Sequence, residues 1–513
     1  MKKLIHKAKV LSISIIFINM SDSQKKVIIM DYKKLAIASI IIAILLRLVL
    51  ASIHTISGDA CWHLSAAMFI SENGKFPLHE QIGRDEPFWA PPLFHVISSF
   101  FYGIFGYSGL KAVPFIFGSL TLIFAYLVFR EILDEKKTFY AVLFMSFIPI
   151  NIDYSVLGYA DSILPFFSIL SIYFALKNRF VLSALSVGLA GLAKHTGFFV
   201  IPVLLYIAYI KGDKRQFVKN FLYLSAIPVL MSAPWFIRNW ILLGNPVWPY
   251  IDFLFHGFEG SPRGTYGSIS LVNLSNPVTY IKIYLGFFGV PDGAPWHLFF
   301  FDIPYIWALI LIFAVGTFIF ILPVFFGWAK GKDHRIFHIL LLSFAVVFML
   351  FELNVRPAVS RIMLPAVIGA AFLYAHGIDK LKSRIGKMGK LFLPLTILII
   401  IGFSFAEIVK FSTGSRSWEF YSEDYEWVKQ NTPKDSVFLL GSQCLPLRIE
   451  RKAVFPSTDI DKNTYDYVWV NQNFQLEPQS IMTADHMIIL KNKDLKEEYH
   501  NDKTGTAIYK VMK

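Results

Sequence analysis

The sequence predicts an all-α polytopic membrane protein with a small C-terminal α/β or α+β domain outside the membrane. Three observations support this prediction. Of the 513 residues, 55% are hydrophobic and 17% are charged, whereas soluble domains carry about 25% charged residues. Apolar runs that approach the length of a membrane span recur between residues 35 and 412. Residues 413–513 are polar and differ in composition from the rest of the chain.

We expect about eleven or more membrane-spanning helices, because apolar runs alternate with polar segments along the chain. Residues 1–34 contain two basic clusters and no small-residue cleavage site. We therefore expect them to be cytoplasmic or interfacial rather than a cleaved signal peptide. The candidate spans are residues 35–53, 111–129, 138–151, 162–176, 180–193, 198–210, 218–235, 303–328, 336–351, 362–378 and 391–410.

The basic residues orient these spans. Five connections are rich in lysine or arginine, and they alternate with connections that are long, aromatic or acidic. The basic ones are REILDEKK, KNR, KGDKRQFVK, AKGKDHR and IDKLKSRIGKMGK. Because basic loops stay in the cytoplasm, we expect an inside N-terminus and an outside C-terminus. Loops 54–110 and 236–301 and the domain at 413–513 are then extracytoplasmic. The net charge of +13 comes from orienting loops, and we expect no nucleic-acid partner.

One apolar segment, Pro91 to Gly106, does not fit as a span. It is short, begins with Pro-Pro and contains His95. If it crossed the membrane, every later basic loop would move to the outside, against the distribution of charge. We therefore expect a juxtamembrane or re-entrant helix on the outer face.

The positions of ionisable residues distinguish a surface enzyme from a transporter. Transporters keep charged groups near the middle of the membrane, whereas here the span centres are almost free of them. Arg47, in the outer third of the first span, is either a snorkelling side chain or a cation beneath an anionic site. The remaining charges favour an amphipathic substrate whose polar head lies outside. They fall at the outer ends of spans and are Asp59, Asp161, Lys194, Arg238 and Arg361.

Six motifs lie at this outer face. In order they are GDACWH, FWAPPLFHVISSFFYGIFG, YSVLGYADSILPF, VGLAGLAKHTGFF, APWFIRNWILLGNPVWP and RPAVSRIMLP. As an ordered set they resemble the GT-C glycosyltransferases, in particular the family 39 protein-O-mannosyltransferase and aminoarabinose-transferase branch. The resemblance covers the whole chain. Two positions depart from the family pattern, since Ala60 follows Asp59 in place of an acidic residue and Ala90 replaces the lysine before the Pro-Pro pair.

The resemblance implies an inverting enzyme that transfers a sugar from a polyprenyl-phosphate donor to a hydroxyl on a protein, lipid or glycan. A phosphate leaving group needs no general acid, unlike the leaving group in glycoside hydrolysis. The acceptor hydroxyl needs a base, and the phosphate needs cations. Asp59 is expected to be that base. Asp161 is expected to be a second catalytic carboxylate, behind the first or as a shared metal ligand, with a structural helix cap as the alternative.

The resemblance also implies a set of substrate-binding residues. Arginine binds phosphate through paired hydrogen bonds, and lysine binds it as a point charge. For Lys194, His195 and Arg361, the alternative is contact with lipid head groups. For Arg238 it is anchoring of the long loop, and for Trp62 it is a contact with lipid at the membrane surface. The expected substrate-binding residues are Lys194, His195, Arg361, Arg238, Trp62 and His63.

Cofactors and disulfides follow less directly from the sequence. The sequence assigns no cofactor, and the oxygen and nitrogen ligands at the outer face leave a divalent metal ion open. These ligands are Asp59, His63, His79, His95 and Asp161. The two cysteines, Cys61 and Cys444, both fall outside, where a disulfide would clamp the C-terminal domain onto the first loop. We expect them to remain apart.

The function expected from the sequence is therefore that of a glycosyltransferase in a prokaryotic-type cell membrane, with its active site and C-terminal domain extracytoplasmic. The expected partners are the lipid-linked sugar donor, the acceptor and the bilayer. Two alternatives remain, a flippase or transporter for lipid-linked sugars and a non-catalytic protein on the same scaffold. A flippase predicts charges at the middle of the membrane and no large outer domain.

Overall fold

The computed structural model describes most of the membrane domain and part of the C-terminal domain. The described residues are 31–81, 87–248, 255, 316, 318–328, 331–352, 360–386, 391–440, 442, 444–454, 465–471 and 495–512. The N-terminal residues 1–30, most of the predicted loop 236–301 and the first part of the predicted span 303–328 lie outside this set.

The helices are numbered here in chain order. They are α1 Tyr32–Ile53, α2 Asp59–Asn73, α3 Leu93–Phe105, α4 Tyr107–Ile132, α5 Glu135–Phe147, α6 Pro149–Asp153, α7 Leu164–Leu176, α8 Phe180–Ala193, α9 Ile201–Lys211, α10 Lys214–Leu243, α11 Lys332–Glu352, α12 Ala366–Ile385, α13 Phe392–Glu419, α14 Ser422–Asn431 and α15 Leu445–Ile449. Short 3₁₀ helices occupy Ala160–Ser162, His195–Val200 and Ser360–Met363.

The predicted class, a helical membrane protein with a small C-terminal sheet, is confirmed. Among the described residues, five helices are long and apolar enough to cross a membrane, namely Tyr32–Ile53, Tyr107–Ile132, Lys214–Leu243, Lys332–Leu350 and Phe392–Ser412. Other predicted spans correspond to shorter apolar helices, including Phe180–Ala193. The total of eleven stays a prediction.

The first helix shows how the sequence builds the bundle. Small and polar residues recur every three to four positions on one face of α1 and are buried, among them Ala36, Ser39 and Ala43. This face packs against α5, and small side chains let two helices approach closely. The opposite face carries large apolar side chains that remain exposed, such as Ile41 and Leu45. An exposed apolar face on such a helix is a surface for lipid.

Arg47 lies on the buried face of α1 and is fully enclosed. Its guanidinium Nη1 donates hydrogen bonds to the carbonyl oxygens of Ala43 at 3.1 Å and Ser146 at 3.0 Å. Ser146 belongs to α5, so Arg47 ties two packed helices together. Its burial excludes the snorkelling arrangement that the sequence left open.

The apolar segment after Pro92 forms α3, which has 13 residues. At 1.5 Å per residue such a helix extends about 20 Å, which is less than the thickness of a bilayer core. It packs against α2 and α4, while Phe100 and Phe105 on its other side remain exposed. These dimensions agree with the expected juxtamembrane or re-entrant helix, and the side of the membrane stays a prediction.

The C-terminal domain follows α13, which extends beyond the expected boundary at residue 412 and ends at Glu419. Its described strands are β1 Val437–Leu439, β2 Lys452–Val454, β3 Tyr467–Asn471, β4 Leu495–Asn501 and β5 Thr506–Val511. They form one sheet in the order β2-β1-β3-β5-β4. The pairs β1–β2 and β1–β3 are parallel, whereas β3–β5 and β4–β5 are antiparallel.

In this domain, EDYEWVKQNTPKDSVFLLGS predicts a helix that stops at Pro433 and then a strand, and KAVFP, YDYVWV, HMIIL and TAIYKV predict further strands. The helix is α14, the strand after Pro433 is β1, and KAVFP, YDYVWV and TAIYKV contain β2, β3 and β5. The strand expected in HMIIL lies outside the described residues. The edge strand β4 has the sequence LKEEYHN and was not expected. Its charged residues obscure the alternation of apolar and polar residues that predicts a strand. Charged residues are typical of edge strands, where they prevent pairing with other chains.

The two cysteines form a disulfide, so the expectation that they remain apart was wrong. Cys61 in α2 and Cys444 before α15 are joined with a Cα–Cα distance of 5.1 Å. The pairing depends on tertiary structure. The helix α15 packs directly on α2, and both cysteines are buried in one apolar cluster with Leu64 and Leu447. A separation of 383 residues leaves no local pattern that could reveal this contact.

Arg448 strengthens the same junction. Its guanidinium donates hydrogen bonds to the Tyr107 hydroxyl at 2.8 Å and to the carbonyl oxygen of Ile56, and it lies 4.9 Å from the centre of the Trp418 ring. The C-terminal domain is therefore fixed to the helix ends that surround α2.

Candidate active site

Four charged side chains converge at the N-terminal end of α2. Nη2 of Arg361 donates to Oδ2 of Asp59 at 2.8 Å. Nε of Arg361 lies 3.9 Å from Oδ2 of Asp161, and Nζ of Lys194 lies 2.5 Å from Oδ1 of the same carboxylate. The result is a chain of alternating charge, Asp59–Arg361–Asp161–Lys194, which we call the charged chain.

Short breaks between helices supply these side chains. Asp59 is the first residue of α2, and Asp161 and Arg361 belong to the 3₁₀ helices Ala160–Ser162 and Ser360–Met363. Lys194 follows the last residue of α8. Residues between two helices can place their side chains at the helix ends and outside the apolar bundle. The four charged side chains therefore lie together at the same end of these helices.

Gly58 forms the backbone turn that precedes Asp59 at the start of α2. Its φ of +61° and ψ of −145° belong to a region that other residues rarely occupy. A Cβ atom at this position would also lie 3.2 Å from the Tyr159 hydroxyl. The glycine in the SGD sequence is thus required by both the turn and its neighbour.

The two carboxylates differ in exposure. The side chain of Asp59 is 54% exposed, whereas that of Asp161 is 3% exposed. The Asp59 carboxylate is therefore accessible from solution. Asp161 is enclosed beside Lys194 and Arg361, and its catalytic role stays a prediction.

The surroundings shift the pKa values of the two cations, Lys194 and Arg361, in opposite directions. Burial lowers the pKa of Lys194, and the attraction of Asp161 only partly opposes that change. Burial would also lower the pKa of Arg361, but the neighbouring carboxylates, Asp59 first, outweigh burial and hold that pKa well above its usual value. The Arg361 guanidinium also lies 4.9 Å from the centre of the Tyr159 ring, an interaction that favours the cation.

His63 follows Asp59 by one helical turn and pairs with a second histidine. Nδ1 of His63 lies 2.9 Å from Nε2 of His95, and Nδ1 of His95 lies 3.0 Å from the carbonyl oxygen of Pro91. The His63 ring is 6.3 Å from that of Tyr159. His63 therefore lies one helical turn from Asp59, and substrate binding by this residue stays a prediction.

Trp62 lies inside an aromatic cluster. Its ring stacks on Phe88 with a centre-to-centre distance of 4.8 Å and lies 5.5 Å from the Trp89 ring. Only 7% of Trp62 is exposed. The ring therefore packs against protein and not in a lipid belt, and its role toward a sugar stays a prediction.

Arg238 anchors the first loop to α10. Its guanidinium donates to the carbonyl oxygens of Phe88 at 2.7 Å and Pro77 at 3.2 Å, and it lies 4.7 Å from the centre of the Trp235 ring. These contacts hold the first loop, whereas most of the long second loop, which the sequence also allows Arg238 to anchor, lies outside the described residues.

His195 contacts α10 through Phe236, whose ring stacks on the imidazole at a distance of 5.4 Å. Lys194, one residue earlier, belongs to the charged chain. The two side chains of the KH sequence therefore have different surroundings. Substrate binding by His195 stays a prediction.

The described residues contain no group of three or more histidine, cysteine, aspartate or glutamate side chains that could hold a metal ion. Asp59 and Asp161 contact cations, and His63 and His95 contact each other. This arrangement gives no support to the metal ion that the sequence left open.

The sequence did not predict that Tyr159 lies at this site or that His95 contacts His63 and Pro91. Tyr159 lies two residues before Asp161 in the GYAD motif, and this proximity was the available signal. His95 was noted only as a metal ligand, because its contact with Pro91 spans one helical turn and becomes visible once α3 is seen to begin at Leu93.

Comparisons with known proteins support the fold. Residues 89–237 match the family model described as dolichyl-phosphate-mannose-protein mannosyltransferase, which is less than half of the chain. A sequence search among curated proteins finds no significant match. The sequence-based resemblance to the GT-C glycosyltransferases is confirmed by these comparisons.

Two solved structures are similar over nearly the whole chain. ArnT from Cupriavidus metallidurans bound to undecaprenyl phosphate has a TM-score of 0.62 and 12% identity, and the match covers 92% of this chain and 97% of ArnT. The oligosaccharyltransferase AglB from Archaeoglobus fulgidus, in complex with an inhibitory peptide and a dolichol-phosphate, has a TM-score of 0.50 and 12% identity, covering 93% and 74%. At this identity the likeness establishes the shared fold.

Proposed function

We propose that the protein is a membrane glycosyltransferase that moves a sugar from a polyprenyl-phosphate donor to a hydroxyl of a protein, lipid or glycan acceptor. The observation that carries the proposal is the charged chain, in which the exposed carboxylate of Asp59 accepts a hydrogen bond from Arg361, and Asp161 joins Arg361 to Lys194. A base next to a phosphate-binding pair is the minimum that this reaction requires. The ligands of the two similar structures, undecaprenyl phosphate and a dolichol-phosphate, support this choice of donor.

In the proposed reaction Asp59 accepts the proton of the acceptor hydroxyl. The hydroxyl oxygen attacks the anomeric carbon from the side opposite the phosphate and forms the new C–O bond. The bond between that carbon and the phosphate oxygen breaks, and its electron pair stays on the phosphate. A single displacement of this kind inverts the configuration at the anomeric carbon.

Arg361 and Lys194 are proposed to stabilise the charge that develops on the leaving phosphate. Arginine has five N–H donors, and Nη2 of Arg361 is engaged with Asp59. Other guanidinium donors can therefore serve the phosphate while Asp59 keeps its position. Lys194 contributes a point charge behind Asp161, whose carboxylate holds the ammonium in place.

The extracytoplasmic location of the site is part of this proposal. The distribution of basic loops predicts it, and the disulfide between Cys61 and Cys444 supports it. Structural disulfides persist in oxidising compartments and are rare in the cytosol. Cys61 lies two residues after Asp59, so the base and the disulfide share one side of the membrane.

A deletion strain tests the proposal. Mass spectrometry of its surface glycoproteins, glycolipids and glycans should show the loss of one sugar modification, and the wild-type gene should restore it. Complementation with Asp59→Asn should fail although the protein accumulates normally. An unchanged set of surface glycans in the deletion strain would overturn the proposed function.

A further inference from the structure

A pair of imidazoles, His63 and His95, lies directly beside the charged chain, and its hydrogen bonds fix where the protons lie. The carbonyl oxygen of Pro91 can only accept, so Nδ1 of His95, at 3.0 Å, carries a proton. If His95 is neutral, its Nε2 is then an acceptor. Nδ1 of His63, 2.9 Å from that atom, must donate, and the remaining ring nitrogen of His63, Nε2, has a free lone pair.

The surroundings keep His95 neutral. The residue is fully buried and is surrounded by aromatic rings, with Phe88 4.9 Å, Phe94 5.6 Å and Trp62 6.4 Å away between centres. An imidazolium in such an apolar enclosure is disfavoured by desolvation. The enclosure also limits ring rotation, so the order of donor and acceptor along Pro91, His95 and His63 is maintained.

His63 is held neutral as well. Burial lowers the pKa of its imidazole well below the usual value, and His95, Arg361 and Lys194 act in the same direction. Unlike His95, its side chain is only partly buried. An unprotonated nitrogen on a partly exposed ring is available to a ligand.

The location of His63 relates it to the proposed reaction. Asp59 and His63 are four residues apart on α2 and therefore lie on the same face of the helix. Tyr159 lies between His63 and Arg361, since its ring is 6.3 Å from the His63 ring and 4.9 Å from the Arg361 guanidinium. Asp59 is bonded to that same Arg361.

We infer that His95 is a positioning residue that fixes His63 as the Nδ1-protonated tautomer, so that Nε2 of His63 accepts a hydrogen bond from a substrate hydroxyl beside Asp59. The inference rests on the proposed function. The hydroxyl belongs to the transferred sugar or to the acceptor, and both present the same O–H donor to Nε2.

The tautomer is measured without any substrate. In protein labelled with ¹⁵N-histidine, His63 should show a protonated Nδ1 and an unprotonated Nε2 at neutral pH, with the signals assigned by their loss in His63→Gln. His95→Asn keeps the donor to Pro91 but lacks the acceptor for His63, so the His63 signals should change. His500→Gln, an exposed residue of β4, is the matched control. A protonated Nε2 in the wild-type protein would overturn the inference.

Ligand additions then identify the source of the hydroxyl. The probes are undecaprenyl phosphate, the sugar-charged polyprenyl lipid fraction of the source membranes, the same fraction after mild acid removes the sugar, and the unmodified glycoproteins and glycolipids of the deletion strain. A shift of the Nε2 signal only with the charged fraction assigns a sugar hydroxyl. A shift only with the acceptor fraction assigns the acceptor hydroxyl. If no sugar-bearing or acceptor fraction moves the signal, the inference is wrong.

Paired substitutions provide the functional readout. The side-chain oxygen of Gln reaches the position of Nε2, whereas that of Asn reaches only the position of Nδ1. His63→Gln should therefore retain transfer within a few-fold, and His63→Asn should lower kcat/KM by about tenfold, as expected for one lost hydrogen bond. Likewise His95→Gln should retain more transfer than His95→Asn. Equal activity of His63→Asn and His63→Gln would contradict the inference, whereas absence of transfer by the wild-type protein would contradict the proposed function itself.

Discussion

Lys194 donates to Asp161 at 2.5 Å, and the Asp161 side chain is 3% exposed. Two opposite charges are thus enclosed together next to Arg361, which also contacts the exposed Asp59. A buried ion pair depends strongly on both partners, because removal of one leaves the other charge uncompensated. The pair therefore links the stability of the membrane domain to the geometry of the site.

The losses of stability caused by substitutions in this pair should not be additive. Asp161→Asn or Lys194→Met should lower the free energy of unfolding by about 3–5 kcal/mol, and the double variant should lose less than the sum of both. Unfolding in mixed SDS micelles measures the three values as a double-mutant cycle. Additive losses would show that the two charges do not interact.

Asp59→Asn tests the proposed base. The amide keeps the shape of the carboxylate but cannot accept a proton, so kcat should fall roughly 10²–10⁴-fold. Donor binding should remain largely intact, since the loss falls on the transition state. Transfer from the charged lipid fraction of source membranes gives both constants. Asp213→Asn, which replaces a helix-capping aspartate before α10, is the control and should leave transfer unchanged. Near-normal transfer by Asp59→Asn would remove Asp59 from this role.

The sequence predicted the helices well because the bilayer imposes their length and apolar character. The first candidate span, 35–53, corresponds to Tyr32–Ile53, and the last, 391–410, lies almost entirely within Phe392–Glu419. Charge likewise predicted that Asp59, Asp161, Lys194 and Arg361 lie at helix ends, since a charged side chain in the middle of the bilayer is costly.

The pairing of those residues was not predictable in the same way. Arg361 and Asp59 are 302 residues apart, and Lys194 and Asp161 are 33 apart. No period or motif encodes such contacts, because they depend on which helices pack together. The same limit explains why the sequence did not predict the disulfide between Cys61 and Cys444 or the contacts of Arg238 with the first loop. Substrate binding by Arg238 stays a prediction.

Neutralising Arg361 should weaken donor binding. Arg361→Gln removes a cation that is hydrogen-bonded to Asp59, and one charged hydrogen bond contributes about 1.5–3 kcal/mol. The KM for the donor should therefore rise by about ten- to a hundredfold, and the residual affinity should depend less on salt. Arg384→Gln, at the other end of α12, should leave the KM unchanged. An unchanged donor KM in Arg361→Gln would assign this arginine to orienting Asp59 alone.

Loss of the disulfide should loosen the C-terminal domain from α2. Replacement of both cysteines by serine should lower the melting temperature by several degrees, because a cross-link that closes a long loop contributes about 2–4 kcal/mol. Transfer should fall as well, since Cys61 lies in the turn of α2 that carries Asp59. Alkylation before and after reduction, followed by mass spectrometry, first establishes the bond. Quantitative alkylation of unreduced, denatured protein would show that the cysteines are free.

The position of α3 outside the membrane core can be tested with introduced cysteines, since the native pair is disulfide-bonded and does not react. Lys75 and Ser108, on either side of α3, are both exposed. Cysteines at these positions should react with an impermeant thiol reagent added to intact cells. A cysteine at Glu135, in the basic connection before α5, should react only after permeabilisation. If α3 crossed the membrane, the label would reach position 135 but not position 108, and Asp161 would move to the opposite side from Asp59. Because both aspartates contact the same Arg361, we expect the first pattern.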